Sequence, residues 1–293
     1  MTEPAAPSRT SPSVSARLIG IIVLLALAAS VFLGLDPRDL IPGQGGLVVL
    51  GRFLAGAISP ALSYEAGPQA VTAQPLLIVV LKACKETVTF AAAAVSLALV
   101  VGLPLAFLSA TRWWWGAPGS EQHPSSAVWR TVRLAAYGSG RLLAAGLRSI
   151  HELLWAVLFL AALGRSSLAA VLAIAVPYTG TFAKVFSEML DETAQDAAEA
   201  LSLAGASRLQ AFLFGLLPRA LPDLGLYAFY RFECAVRSSA VLGFFGFQTL
   251  GYYIAASIEN LHYREVWTYL YAVFVLVVIL DSWSGAIRRR YLG

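Results

Sequence analysis

Two oppositely charged side chains lie four residues apart in the largely apolar segment 222–247. At this spacing Glu233 and Arg237 would share one face of a helix, as an ion pair requires. If the segment crosses a membrane, both groups fall near its middle, where charge is costly unless paired and usually marks function. Two roles remain open: either Glu233 orients Arg237, which with Ser238 donates hydrogen bonds to an anion, or the pair locks the helix against a neighbour.

A second polar spot, His151 and Glu152, lies in the apolar segment 142–163. It would line a pathway or, as is more common for a single histidine, satisfy a packing contact. Neither these residues nor any other His, Cys, Asp or Glu set has the spacing of a metal site. The sequence also contains no P-loop and no nucleophile elbow. It therefore predicts no reaction, metal or bound cofactor in this chain.

The composition indicates which elements must position these side chains. The chain has 293 residues, of which 58% are hydrophobic and 13% charged, and its mean hydropathy is +0.71. Soluble domains are usually about 45–50% apolar and about 25% charged. These values exclude an ordinary soluble enzyme and a disordered chain, and two cysteines exclude a disulfide scaffold. The remaining class is an all-α integral membrane protein with several spans.

Six apolar segments of roughly membrane-spanning length are expected to be transmembrane helices. They cover residues 18–35, 87–109, 142–163, 168–190, 222–247 and 266–287. A cleaved signal peptide is the alternative for the first segment, but its length favours a retained helix. Residues 1–16 are rich in Pro, Ser and Thr and predict a disordered tail. The rest of 17–75 contains a shorter amphipathic stretch that suits a helix on the outer membrane surface.

The arginine and lysine distribution predicts the orientation. One set of loops is richer in these residues, so both chain termini are expected to face the cytoplasm. Topology thus accounts for the net charge of +4, and nucleic acid is not expected as a partner. The outer ends of the spans then carry four basic residues that either attract anions and a binding protein or contact lipid headgroups: Lys82, Lys85, Arg165 and Arg264.

The cytoplasmic loop 191–219 has the pattern of two helices joined at a glycine. Thr193 is placed to cap the first helix, and Gly205 to end it in a left-handed conformation. Ser207 and Gln210 form a capping box for the second helix. Four apolar residues form a stripe on the first helix, namely Ala197, Ala200, Leu201 and Ala204. The segment also carries four acidic residues, namely Asp191, Glu192, Asp196 and Glu199. Since anionic lipid would repel acidic residues, a protein groove is the expected partner.

This loop resembles the coupling loop of ABC importer permeases. The family pattern is E-A-A-x-x-x-G, nine variable residues and I-x-L-P, which Glu199-Ala200, Gly205 and Leu217-Pro218 match in register. Leu201 and Gly215 replace the second Ala and the Ile. From residue 81 onward the chain resembles the methionine-importer-like (type I) permeases, and most of all the phosphonate, phosphite and phosphate permeases. Supporting stretches include residues 103–108, 148–156, 233–243 and 263–266, although His151 replaces a usual Pro and 243–251 reads GFFGFQTLG.

The resemblance implies a type I permease domain over residues 76–293, in a bacterial inner membrane, with a pathway for a phosphorus oxoanion. It also implies two ABC ATPases that carry ATP and Mg²⁺, a second permease chain, identical or paralogous, and an extracytoplasmic substrate-binding protein. The ATPase contacts are expected at Asp196, Glu199, Ala200, Gly205, Leu217 and Pro218. The pathway candidates are His151, Glu152, Glu233, Arg237 and Ser238.

Two alternatives stay open. One is a permease of the same fold for another small solute such as an amino acid. The other is a secondary transporter driven by an ion gradient, a class that often shows inverted repeats and broken helices. No repeat of the loop motif is visible in this sequence, and an acidic cytoplasmic helix would have no evident role in that class. Copurification of an ATPase would separate the two classes.

Overall fold

In the computed structural model, residues 14–34, 43–65, 74–115 and 127–292 are described, and every regular element within these ranges is helical. The chain divides into two compact units, residues 1–55 and 56–293. The first contains helix α1 (Val14–Phe32) and most of α2 (Gln44–Ile58). The side chains of α1 are almost all exposed and apolar, as expected for lipid contact. The predicted tail 1–16 lies outside the described residues except for the start of α1.

The second unit is a bundle built on long helices. In chain order these are α3 (Leu76–Ser109), the short α4 (Thr111–Trp115), α5 (Ala127–Ser149), α6 (Glu152–Leu163) and α7 (Ser167–Glu192). They are followed by α8 (Asp196–Leu203), α9 (Arg208–Gln210), a π-helical segment (Ala211–Leu216), α10 (Leu217–Val241), a 3₁₀ turn (Leu242–Phe245), α11 (Leu250–Glu259) and α12 (Tyr263–Leu292).

The spans agree in number with the sequence but differ in shape. Among the described residues, four helices are long and apolar enough to cross a membrane: α1, α3, α7 and α12. The count rises to six if each of two bent pairs is one span, α5 with α6 at 87° and residues 211–245 with α11 at 44°. The helix expected over 142–163 is interrupted, because the chain turns sharply after Ser149. The span expected at 87–109 begins earlier, at Leu76.

Small residues allow α3 and α7 to pack closely at the centre of the bundle. Ala94 and Ala98 of α3 and Ala170 and Ala173 of α7 are completely buried. Close packing through small residues is the usual way in which helices associate within a membrane. Aromatic rings on α7 and α10, namely Phe182, Phe186 and Tyr227, fill the adjoining layer through edge contacts. This core holds α7 and α10 side by side, with the bend between α5 and α6 against α7.

Asp191 ties three helices together near the end of α7. Its carboxylate accepts hydrogen bonds from the backbone N–H groups of Thr111 and Arg112, at 3.0 and 2.9 Å. The Arg112 Nε atom donates to the Asp191 carbonyl, and Arg141 of α5 lies 3.9 Å from the carboxylate. A carboxylate is well placed at the start of a helix such as α4. This contact fixes the end from which the next loop departs.

The helix–glycine–helix pattern after α7 is confirmed with two corrections. Gly205 has a φ of +91°, and Ser207 and Gln210 exchange the two hydrogen bonds of a capping box. Thr193, however, does not cap α8, because its hydroxyl donates to the Met189 carbonyl at the end of α7. The residue that precedes α8 is Gln195. The second helix also continues through Pro218 into α10 rather than ending there.

At the opposite end of the bundle, Glu265 holds the segment before α3. Its buried carboxylate accepts hydrogen bonds from the backbone N–H of Glu65 at 2.6 Å and from the Ser257 hydroxyl at 3.3 Å. Arg264 donates from its Nε atom to the Ser59 carbonyl at 2.7 Å. Residues 59–65 are therefore attached to α11 and α12.

Candidate functional site

The bend between α5 and α6 creates the wall of a polar cavity. His151 has extended backbone angles, and its Nδ1 atom accepts a hydrogen bond from the Leu153 N–H, so that it caps α6. Glu152 is the first residue of α6. The sequence predicts both residues within one helix over 142–163, whereas the structure places them at the break between two helices. The segment has neither Pro nor Gly at the break, so the only local signal is a side chain able to cap a helix.

A close approach at Gly180 brings the end of α5 against α7. A Cβ atom at this position would lie 2.6 Å from the Ala144 carbonyl oxygen and 2.9 Å from the Arg148 nitrogen. Only glycine allows this separation. Arg148, the second-to-last residue of α5, is thus held beside the middle of α7 and just before the bend.

Four helices, α5, α6, α7 and α10, enclose a cavity of about 380 Å³ beside this contact. Its titratable and charged groups come from α5, the bend with α6, α7 and α10, and they are Arg148, His151, Glu152, Tyr178, Arg231, Cys234 and Arg237. Ser238 adds a hydroxyl, and Pro177, Thr181 and Ile150 complete the lining. The volume falls within the range of small-ligand pockets.

The positive charge of this cavity is not neutralised by the protein. Of its three arginines, Arg231 lies over the rings of Tyr178 and Tyr227, with its Cζ atom 5.0 and 5.7 Å from their centres. Arg237 donates from Nη2 to the Cys234 sulfur at 3.4 Å. Across the ranges the structure describes, neither they nor Arg148 form an ion pair with a carboxylate. Guanidinium groups left in this state are suited to bind an anion.

The cavity contains one carboxylate, Glu152. Its Oε1 atom accepts a hydrogen bond from the Ser238 hydroxyl at 2.8 Å. Its Oε2 atom lies 3.8 Å from the Nε2 atom of His151. The Ser238 hydroxyl is also 3.5 Å from the Tyr178 hydroxyl, which extends this network to α7.

Four of the five predicted pathway residues therefore come together: His151, Glu152, Arg237 and Ser238. Glu233 does not line the cavity, and one of its oxygens is buried without a hydrogen-bond partner in the described structure. The expected Glu233–Arg237 ion pair is wrong, since none joins these residues in the part of the chain described.

Three cavity residues are not among the site residues predicted from the sequence, namely Arg148, Tyr178 and Arg231. A signal was present on α10, because residues 231, 234 and 238 recur at the spacing of one helix face. Arg148 and Tyr178 have no comparable local signal. Their place in the cavity depends on the bend and on the contact at Gly180.

The second candidate site is the surface of α8. Glu199 and Ala200 are exposed, and Leu203, which the sequence analysis did not single out, is 90% exposed. Asp196 lies 3.5 Å from the Arg219 guanidinium. The predicted apolar stripe is divided, because Ala197 and Leu201 are partly buried whereas Ala200 and Ala204 are exposed. The exposed part combines small, acidic and apolar side chains, which suits a protein surface.

Gly215, near the end of the loop signature, packs against α8. Gly215 is buried in the π-helical segment, directly against the α8 backbone. Leu217 is partly buried and Pro218 is exposed in the first turn of α10. Gly205 provides the reversal that lets α8 and this segment run beside each other.

The predicted outer basic residues do not share a binding partner. Lys82 donates to the Gln74 side chain at 2.7 Å, and Arg264 is engaged with residue 59. Lys85 is exposed on α3. Arg165 lies beside Gly246, where an added Cβ would be 3.4 Å from its Cδ atom. No cluster of His, Cys, Asp and Glu suited to a metal ion occurs in the regions the structure covers.

Comparisons with known proteins agree with these features. A family model described as "binding-protein-dependent transport system inner membrane component" matches residues 132–293. The phosphite transport system permease protein PtxC of Stutzerimonas stutzeri is 29% identical over 206 residues, 70% of this chain and 69% of the relative. The putative phosphite permease HtxC of the same species is 30% identical, over 74% and 70% of the two chains. A solved structure of the MetNI methionine ABC transporter, inward-facing, aligns with a TM-score of 0.59 at 22% identity, covering 75% of this chain and 99% of that one.

Proposed function

Because the chain belongs to the family of binding-protein-dependent transport system inner membrane components, we propose that it is the permease of an ATP-driven importer of a phosphorus oxoanion. The observation that carries this proposal is the cavity with three arginines and a single glutamate. Uncompensated charge at membrane depth is costly, so its retention indicates a ligand of opposite charge. Both Stutzerimonas stutzeri relatives are named for phosphite, which supports this class of anion.

The arginines would bind such an anion through several N–H groups at once. A phosphorus oxoanion presents three oxygens, and each guanidinium can donate two parallel hydrogen bonds. Arg231 and Arg237 lie on α10, whereas Arg148 lies on α5. A ligand bound by these arginines would therefore bridge α5 and α10, and a relative motion of the two helices would release it.

The exposed surface of α8 is proposed as the contact with an ABC ATPase. Glu199, Ala200 and Leu203 fit into a groove of that subunit, and Gly205 sets the direction in which α8 leaves it. ATP and Mg²⁺ are bound by the two ATPases. Their closure draws the α8 helices of two permease chains together and moves the permease between inward-open and outward-open states, in which an external binding protein delivers the substrate.

This arrangement requires both termini and α8 to lie in the cytoplasm. The basic loops support that orientation. Residues 76–293 form the permease domain of the proposal, with residues 17–75 as a preceding span and outer segment. The second permease chain is a further copy or a paralogue.

The test is to purify the tagged full chain from the membranes of its source bacterium. Mass spectrometry of the copurified proteins should identify an ABC ATPase, and calorimetry should detect binding of inorganic phosphite. Absence of the ATPase would leave the ion-gradient class. Binding of an amino acid in place of phosphite would support the same-fold alternative, to which the single cavity carboxylate could offer a partner for an ammonium group.

A further inference from the structure

Glu152 is exceptional within the cavity because it presents negative charge where the other charged groups are cationic. If the cavity served only to attract anions, this carboxylate would weaken binding. It is not used to neutralise an arginine, since among the described residues the basic group within 4 Å of its carboxylate is the His151 ring, at 3.8 Å. Only one of its oxygens receives a close hydrogen bond, from Ser238 at 2.8 Å. An ionised carboxylate has about four lone-pair sites, so acceptor capacity is left for a ligand.

We infer that Glu152 is a specificity-determining residue that accepts a hydrogen bond from the P–OH group of a protonated phosphorus oxoanion and thereby excludes sulfate. This inference rests on the proposed function, because it names the form of the oxoanion that the cavity takes. The three arginines bind the unprotonated oxygens, and Glu152 binds the protonated one.

The physical basis is that a carboxylate only accepts hydrogen bonds. A phosphate-type group titrates its second proton at about pH 6, so a P–OH form is available in the physiological range. Sulfate carries no proton there and would place a charged oxygen against the Glu152 carboxylate. A site that must make a hydrogen bond rejects a ligand that lacks the donor far better than a site that only fits its shape.

Among the side chains that line the cavity, Glu152 is the one that can act as a charged hydrogen-bond acceptor. Arg148 of α5 and Arg231 and Arg237 of α10 are donors, and so is the Ser238 hydroxyl towards Glu152. His151 in the bend, Tyr178 on α7 and Cys234 on α10 are the other titratable groups that line the cavity. None of these side chains carries a carboxylate. A ligand P–OH group therefore finds its charged acceptor at Glu152.

The experiment measures anion binding to the purified complex of the full chain with its copurified subunits. Inorganic phosphite and sulfate are titrated separately, at equal ionic strength, from about pH 6 to about pH 8. The expected result is that phosphite binds at least about tenfold more tightly than sulfate at the lower pH. Phosphite affinity should fall as the pH rises and the P–OH proton is lost.

The variant Glu152→Gln should reduce this discrimination, because an amide can also donate to an unprotonated oxygen. The phosphite-to-sulfate ratio is expected to fall about tenfold, and the pH dependence of phosphite binding should flatten. Ser238→Ala, which removes a neighbour of Glu152 but keeps the carboxylate, should still exclude sulfate. Glu259→Gln, an exposed position on α11, is the matched control and should change neither property.

Each outcome decides the inference. Equal binding of phosphite and sulfate by the unmodified complex overturns it while the proposed function stands. Binding of neither anion overturns both. A Glu152→Gln complex that keeps the phosphite-to-sulfate affinity ratio and the pH profile also overturns the inference. If that variant does not assemble, the phosphite-to-sulfate ratios of the unmodified complex and of Ser238→Ala decide the question.

Discussion

Gly215 and Ala198 are in direct backbone contact. A Cβ atom added to Gly215 would lie 2.7 Å from the Cα atom and 2.8 Å from the nitrogen of Ala198. The π-helical segment at the start of the α10 span therefore supports the α8 helix without an intervening side chain. Movement of α8 would be transmitted directly to the helix that carries Arg231 and Arg237.

The first prediction concerns this contact. Gly215→Ala should displace α8, since the clash is with backbone atoms that cannot rotate away, and overpacking of this kind costs about 1–3 kcal/mol. We expect less copurified ATPase and slower substrate-stimulated ATP hydrolysis. Gly225→Ala on α10 is the control, because an added Cβ there meets no atom within 4 Å. Equal behaviour of the two variants would mean that the contact does not matter for coupling.

A second prediction concerns the reversal at Gly205. Its φ of +91° disfavours residues with a side chain, and β-branched residues most of all. Gly205→Val should therefore disorder the junction and lower ATP hydrolysis while the chain still inserts into the membrane. Since an added Cβ has open space here, the effect is one of backbone strain rather than collision. Gly205→Asn should retain much more activity, because Asn tolerates this conformation. If Val and Asn behave alike, strain is not the cause.

The features of this loop that the sequence predicts correctly depend on local interactions. Gly205 and the Ser207–Gln210 pair act within a few residues of themselves, so their types and spacing suffice to predict them. Thr193 was assigned to the wrong helix because it lies between two helices and its hydroxyl can serve either end. The choice depends on where α7 ends, which Asp191 determines through its contacts with α4.

The third prediction therefore concerns Asp191. Asp191→Asn removes the negative charge of a carboxylate that accepts hydrogen bonds from two backbone N–H groups and lies near Arg141. This loss should lower the free energy of unfolding by about 1–3 kcal/mol. The expected result is a lower Tm of the detergent-purified chain. Glu192→Gln, the exposed neighbour, should leave the Tm unchanged. A Tm equal to that of the unmodified protein would show that the Asp191 contacts add little.

The fourth prediction separates Arg237 from Glu233. Arg237→Gln removes a charged donor from the cavity and should weaken phosphite binding about tenfold or more. Glu233→Gln should not, because Glu233 neither lines the cavity nor pairs with Arg237. Calorimetry on both variants provides the measurement. Equal losses in both would instead favour a functional link between the two side chains.

The fifth prediction tests the orientation of the chain. In a background without Cys84 and Cys234, Ser207→Cys should react with a membrane-impermeant reagent only after cells are opened, whereas Lys82→Cys should react in intact cells. Both positions are exposed, so access to the reagent depends on the side of the membrane. The reverse pattern would place α8 outside and contradict an ATPase contact there.

The cavity marks the limit of what the sequence could predict. The number of spans follows from the lengths of the apolar segments. The predicted functional role of Arg237 follows from its position near the middle of one such segment. That Arg148 and Arg231 line the same cavity does not follow, because it depends on an 87° bend without Pro or Gly and on the close approach at Gly180. Both are tertiary effects between residues far apart in the chain.

The single carboxylate of the cavity has an energetic consequence for import. The interior of a bacterial cell is electrically negative, so each unit of negative charge carried inward costs about 2.3 kcal/mol per 100 mV of membrane potential. A dianion would cost about 4.6 kcal/mol under the same potential, twice as much as its singly protonated form. By accepting a hydrogen bond from a P–OH group, Glu152 would select the singly protonated form, whose entry requires half the electrical work.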